Sequence, residues 1–162
     1  MIPIRNIYYM LSYAFRILDP QGYKRVSVEQ FDNVLEMLSS VLSRGISIQI
    51  KRGIQKGYLE KIEVLCSPRG RFELSESNCI YKNHVVCSYD AFSENIYMNR
   101  IIKSTLELLI RLDISKSRKK ELRRLLVYFS DISSLDVNNI NWNMHYNRNN
   151  RAYQMLLSIC HM

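Results

Sequence analysis

At 162 residues the chain is long enough for one domain with a proper core, or a compact domain with a small insertion, and too short for two independent domains. Hydrophobic residues at 47% and charged residues at 23% fit an ordinary globular protein and exclude wholesale disorder. The formal net charge of +8 favours an acidic partner, either nucleic acid or an electronegative protein surface, and charge alone does not choose between them.

Pro3 suits a first helical turn, and Ile4, Ile7, Leu11, Phe15 and Leu18 follow at helical spacing until Asp19-Pro20 ends the run. Ser27 and Gln30 read as a capping box for a second helix, whose stripe of Phe31, Val34, Leu35, Leu38 and Leu42 stops at Gly45. From Ile46 the period shortens to two, with Ile46, Ile48 and Ile50 alternating with Ser47, Gln49 and Lys51, so a strand region opens there. Further strands are expected at Leu59–Leu65, at Arg71–Leu74 after the Ser67-Pro68-Arg69-Gly70 turn, and at Asn83–Tyr89. Strands this short need either a sheet curled into a barrel or cover from the helices.

Helical spacing returns after Ser93, read as a cap, and runs through Ile96, Asn99, Ile102, Leu106, Leu109 and Ile110 to about Leu112. A more basic helix is expected over Arg118–Phe129, with Leu122, Leu125, Leu126 and Phe129 inward and Arg118, Lys119, Arg123 and Arg124 largely outward. Ser130–Asn150 is polar and aperiodic, an ordered connector. A last helix from Arg151 gathers Tyr153, Leu156, Leu157 and Cys160 close to the end of the chain, which leaves it little length to bury. The resulting fold class is α+β: N-terminal helices, a small antiparallel strand region, barrel-like if it curls, and a C-terminal helical bundle, all in one domain over 1–162 with 46–90 as its β-rich subregion.

The longest apolar stretches, within Ile101–Leu112 and Tyr153–Cys160, are shorter than the roughly 20 residues a membrane span needs. The start, Met1-Ile2-Pro3-Ile4-Arg5, has no secretory pattern, so the cytoplasm is the expected location. Cys66, Cys79, Cys87 and Cys160 form no CxxC pair and are read as buried free thiols.

The chain offers little for catalysis. A metal-dependent nuclease of the common restriction type needs an acidic-x-Lys triplet beside a further carboxylate. Glu60, Glu63 and Glu73 have no lysine two residues downstream. His84, His145 and His161 lie far apart with no nucleophile motif around them and are read as structural or surface residues. No GxxxxGK[ST] loop is present to cradle a nucleotide phosphate. No catalytic residue, metal site or cofactor is therefore assigned. The candidates that remain are arginines at turns, Lys51-Arg52-Gly53 and Pro68-Arg69-Gly70-Arg71, whose planar guanidinium forks suit carboxylate or phosphate acceptors.

Five stretches, in order along nearly the whole chain, resemble the N-terminal region of the McrC family, the partner subunit of McrBC-type restriction systems. They are Ile2–Ala14 (IPIRNIYYMLSYA), Lys51-Arg52-Gly53, Arg69-Gly70-Arg71, Cys87-Ser88-Tyr89-Asp90 and Asn99–Leu106 (NRIIKSTL). The resemblance implies a component that docks into a GTP-hydrolysing AAA+ ring, McrB-like, and stimulates it. DNA carrying modified bases such as 5-methylcytosine is then met indirectly through the complex. In that family a separate C-terminal domain with a PD-(D/E)xK site cuts DNA; the sequence ends before such a domain, so a non-catalytic role is expected. Arg52, Arg69, Gly70 and Arg71 become the expected partner-binding residues. Two other readings remain open: a basic nucleic-acid-binding module, motivated by the charge and the Arg118–Arg124 helix face, and a truncated structural remnant without activity.

Overall fold

A computed structural model describes residues 6–7, 33–72, 84–147 and 150–162. The chain divides into a helical unit, up to Gln55 and again from Tyr97 to Met162, and a strand unit, Lys56–Ile96. The first expected helix and the Ser27–Gln30 capping box lie outside the described residues, apart from Asn6 and Ile7. These two are helical, and Ile7 packs against the core.

Helix α1 (Val34–Arg52) starts at Asn33, whose side-chain oxygen accepts the Glu36 amide at 2.7 Å. Two expectations fail here. The helix does not stop at Gly45, and Ile46–Ile50 is not a strand. Leu42, Ile46 and Ile50 are four apart as well as evenly numbered, and helical spacing wins because Leu42 and Ile46 are buried in the core. Gly45 is instead buried inside the helix, as are the small residues Ser39, Ser40 and Ser43. The stripe is also rotated from the expected one: Val34 and Leu35 are exposed, and Met37 and Val41 are buried. The stop falls at Gly53, whose φ of 98° is open to glycine and whose amide donates to the Ile50 carbonyl at 3.1 Å.

Helices α2 (Tyr97–Arg111), α3 (Lys116–Leu126) and α4 (Arg151–His161) complete the helical unit, with a short 3-10 turn, Val127–Phe129, extending α3. Their apolar faces meet in one core that includes Ile101, Ile102, Leu106, Leu122, Phe129 and Leu156. Helix α4 buries more than its length suggests: Tyr153, Leu156, Leu157 and Ile159 are all enclosed. The connector before α4 is irregular yet pinned to α2. The Ser104 hydroxyl bridges both backbone groups of Leu135, the Ser134 hydroxyl donates to Glu107, and the Tyr97 hydroxyl accepts the Asn141 amide.

A polar network joins α1 to α3. The Glu36 carboxylate accepts both the amide and the hydroxyl of Ser115, at 3.0 and 2.7 Å, while the Ser115 hydroxyl caps α3 by accepting the Arg118 amide. Arg118, expected to point outward, is only 15% exposed and pairs with Glu36 and Glu121; Glu121 also accepts the Ser43 hydroxyl. Partial burial opposes ionisation of Glu36, but the Ser115 hydrogen bonds and the Arg118 charge outweigh it and hold the carboxyl below its ordinary value. A depressed carboxyl stabilises the fold above its unfolded pKa and loses that contribution as pH falls through the folded one. Glu36→Gln is therefore expected to cost about 1 kcal/mol at neutral pH, with the deficit in denaturant midpoint closing below pH ~4.

In the strand unit, β1 (Gly57–Leu65), β2 (Arg71–Phe72) and β3 (Val85–Ser93) form an antiparallel sheet in the order β1-β3-β2. Strands β1 and β3 pair along their full length, Gly57 opposite Ser93 and Leu65 opposite Val85. Strand β2 places Arg71 opposite Ser88 and Phe72 opposite Cys87. Among the described residues the sheet stays open, with β1 and β2 as separate edges, so the barrel alternative is not formed. The strands also begin at Gly57 rather than Ile46 and run past Tyr89 to Ser93.

Candidate partner-docking site

The Arg69-Gly70-Arg71 turn is built against the central strand. Gly70 has a φ of 76°, and a β-carbon there would lie 2.4 Å from the Ser88 carbonyl oxygen and 2.7 Å from the Tyr89 β-carbon. Backbone conformation and space thus both require glycine, and that requirement seats the two arginines on β3. The Arg69 guanidinium carbon stands 4.7 Å from the centre of the Tyr89 ring. The Tyr89 hydroxyl in turn donates to Glu63 at 2.7 Å, and Lys61 approaches the same carboxylate at 3.7 Å. Hydrogen bonding to Glu63 is the main cause that raises the Tyr89 pKa. Arg71 is exposed and on the side of the sheet shared with Ser88, whose hydroxyl donates to Glu60 at 2.7 Å.

That side also carries a feature the turn arginines did not announce. Tyr58 and Phe92 face each other across β1 and β3 with ring centres 5.1 Å apart, yet are 75% and 62% exposed. Further along β1 on the same side, Ile62 and Val64 are 56% and 62% exposed. Aromatic and β-branched groups left in water on a strand face mark an interaction surface. The signal in the sequence was the alternation Tyr58, Glu60, Ile62, Val64, which places apolar residues on one side of β1.

Arg69, Gly70 and Arg71 are brought together in the strand unit. Arg52 ends α1 in the helical unit, where it is exposed. The thiols divide. Cys87 is buried, and burial pushes the Cys160 thiol up to about 12. Cys66, expected inside, is exposed with its sulfur 2.9 Å from His84 Nε2; Cys79 lies outside the described residues. His145 is exposed, and His161 packs on Trp142 at 4.5 Å between ring centres. No described helix is long and apolar enough to cross a membrane.

The chain spans about half the length of the relatives it matches. The type IV methyl-directed restriction enzyme EcoKMcrBC of Escherichia coli (strain K12) is 32% identical over 167 residues, covering 99% of this chain and 47% of that protein. A chain in the cryo-EM structure of the Thermococcus gammatolerans McrBC complex superposes with a TM-score of 0.67 at 17% identity, over 98% of this chain and 50% of that one. A second, from the refined half-complex of the tetradecameric assembly of Thermococcus gammatolerans McrB AAA+ hexamers with bound McrC, has a TM-score of 0.64 at 15% identity, over 99% and 42%. At those identities the two structures speak for a shared fold. A family model described as McrBC 5-methylcytosine restriction system component matches residues 5–162, and with that match over almost its whole length the chain belongs to this family.

Proposed function

We propose that the chain is a non-catalytic, McrC-like component of a modification-dependent, 5-methylcytosine-directed DNA restriction system, and that it docks on and stimulates an AAA+ GTPase partner. Its docking residues are Arg52, Arg69, Gly70 and Arg71, with DNA reached indirectly through the complex. The observation that carries the reading is the strand unit itself, a rigid arginine turn with an exposed apolar face on the same sheet. Such a combination suits a protein surface rich in acceptors, because charge-assisted hydrogen bonds add strength and direction to apolar contact. The structural relative described as McrC bound to McrB AAA+ hexamers supports the choice of partner. The non-catalytic part rests on strands that lack an acidic-x-Lys triplet.

The test is GTP hydrolysis by the cognate AAA+ protein titrated with this chain. Arg69→Ala with Arg71→Ala is expected to raise the half-maximal concentration at least about tenfold, the loss of one or two interface anchors. Unchanged stimulation with an intact fold would remove both arginines from the site. No stimulation by the unaltered chain would leave a folded remnant, and DNA cutting in magnesium by the purified chain would refute the non-catalytic role.

A further inference from the structure

We infer that the outward face of α3 is a direct binding surface for the phosphodiester backbone of duplex DNA. This goes beyond docking on the GTPase: modified bases are still met through the complex, and the added direct contact, to the DNA backbone alone, lies in the helical unit rather than on the arginine turn.

Helix α3 reads KSRKKELRRLL and contains a single acidic residue, Glu121. Glu121 is already held by Arg118 and by the Ser43 hydroxyl, and Arg118 is the one basic side chain of the helix drawn into the α1–α3 network. Lys116, Lys119, Lys120, Arg123 and Arg124 remain, and none of their side chains makes an ion pair or hydrogen bond among the described residues. Lys116, Lys120, Arg123 and Arg124 are exposed, at relative positions zero, four, seven and eight of the helix, and so share one face.

A merely solvated helix face would mix its charges, since opposite charges four apart support a helix and like charges weaken it. This helix places like charges four apart three times, Lys116 with Lys120, Lys119 with Arg123, and Lys120 with Arg124. Its first turn, where the helix dipole favours acids, has none and begins with Lys116. The pattern works against the helix and concentrates positive potential outward.

Lysine is depleted in protein–protein interface cores, and no apolar residue interrupts the outward row from Lys116 to Arg124. A duplex fits better. From Lys116 to Arg124 the row is about 12 Å long, and DNA presents one negative charge per ~1.7 Å of axis with both strands counted, so a row of this length runs beside several phosphates. Tyr128, 58% exposed just beyond the row, adds a hydroxyl able to donate to a phosphate oxygen.

The experiment is fluorescence anisotropy with a labelled unmodified duplex, titrated with the whole chain at several salt concentrations. A variant carrying K116Q, K120Q, R123Q and R124Q is compared with one carrying R69A and R71A, each checked for its unfolding midpoint. The α3 variant is expected to bind at least about tenfold more weakly near 0.1 M salt, with its log–log salt slope reduced by up to about 3.6 if all four cations meet phosphates. The turn variant should bind as the unaltered chain does, even where it fails to stimulate the GTPase. The inference is overturned if the unaltered chain shows no salt-dependent binding, if the α3 variant binds like it, or if binding is lost in the turn variant instead. It is equally overturned if polyglutamate displaces the duplex at matched charge, which would make the face a site for acidic polypeptides.

Discussion

Gly70→Ala is expected to unpair β2 from β3 while leaving both neighbouring arginines in the sequence. The left-handed backbone costs a side-chain-bearing residue about 1–2 kcal/mol, and the collision of its β-carbon with the Ser88 carbonyl brings the total to about 3 kcal/mol. The obstacle is backbone of the central strand, with no flexible side-chain end to swing away. Amide exchange at Arg71 and Phe72 should accelerate to that of an open turn. If Arg69 and Arg71 act as proposed, stimulation of the GTPase should fall as far as with both arginines removed, because they lose their seat on β3. Unchanged exchange at these amides would show that β2 tolerates the extra carbon.

Asn99→Leu carries the second large effect. Asn99 is fully buried, and its side-chain amide donates to the Gln55 carbonyl at 2.8 Å, while the Gln55 amide donates to the hydroxyl of buried Tyr153 at 3.0 Å. Gln55 is the last residue of the helical unit before the chain enters the strands, and both its backbone groups are satisfied by side chains far away in sequence. Leucine keeps the branching and heavy-atom count of the Asn99 side chain but strands that carbonyl, at a cost of about 2 kcal/mol in the denaturant-unfolding free energy. Tyr153→Phe, which strands the amide, should cost about 1 kcal/mol, and the pair should be non-additive because they hold one residue. An Asn99→Leu protein within ~0.5 kcal/mol of the original would show that water replaces the lost donor.

Much of the fold was legible where a local signal and the tertiary structure agree. The Leu122, Leu125, Phe129 stripe expected over Arg118–Phe129 is inside, although the helix begins two residues earlier, behind a Ser115 cap that the stripe alone did not reveal. Leu59–Leu65 falls within β1, and Val85–Tyr89 of the expected Asn83–Tyr89 falls within β3, which runs on to Ser93. The failures sit where one pattern satisfies two periods. Ile46, Ile48 and Ile50 alternate like a strand, yet Leu42, Ile46 and Ile50 also stack along a helix, and only burial against other helices decides. Gly45 and Gly53 are both plausible helix stops; the first is a packing position and the second the true end.

The candidate site was legible in part for a similar reason. Arg69, Gly70 and Arg71 were visible as a turn with charge, because a glycine between arginines is a local feature. The Tyr58–Phe92 pair depends on register across strands whose order the sequence does not contain. Arg118 was misplaced because one of its acidic partners, Glu36, comes from a helix distant in sequence, while the other, Glu121, lies one turn on in the same helix.

The clasp around Gln55 has a consequence for the nascent chain. Gln55 and Tyr153 are 98 positions apart, so the strands are synthesised well before the hydroxyl that accepts the Gln55 amide exists. At cellular elongation rates the delay is on the order of ten seconds. During that interval the Gln55 amide is without the hydroxyl that accepts it, and closure of the clasp waits on the synthesis of α4.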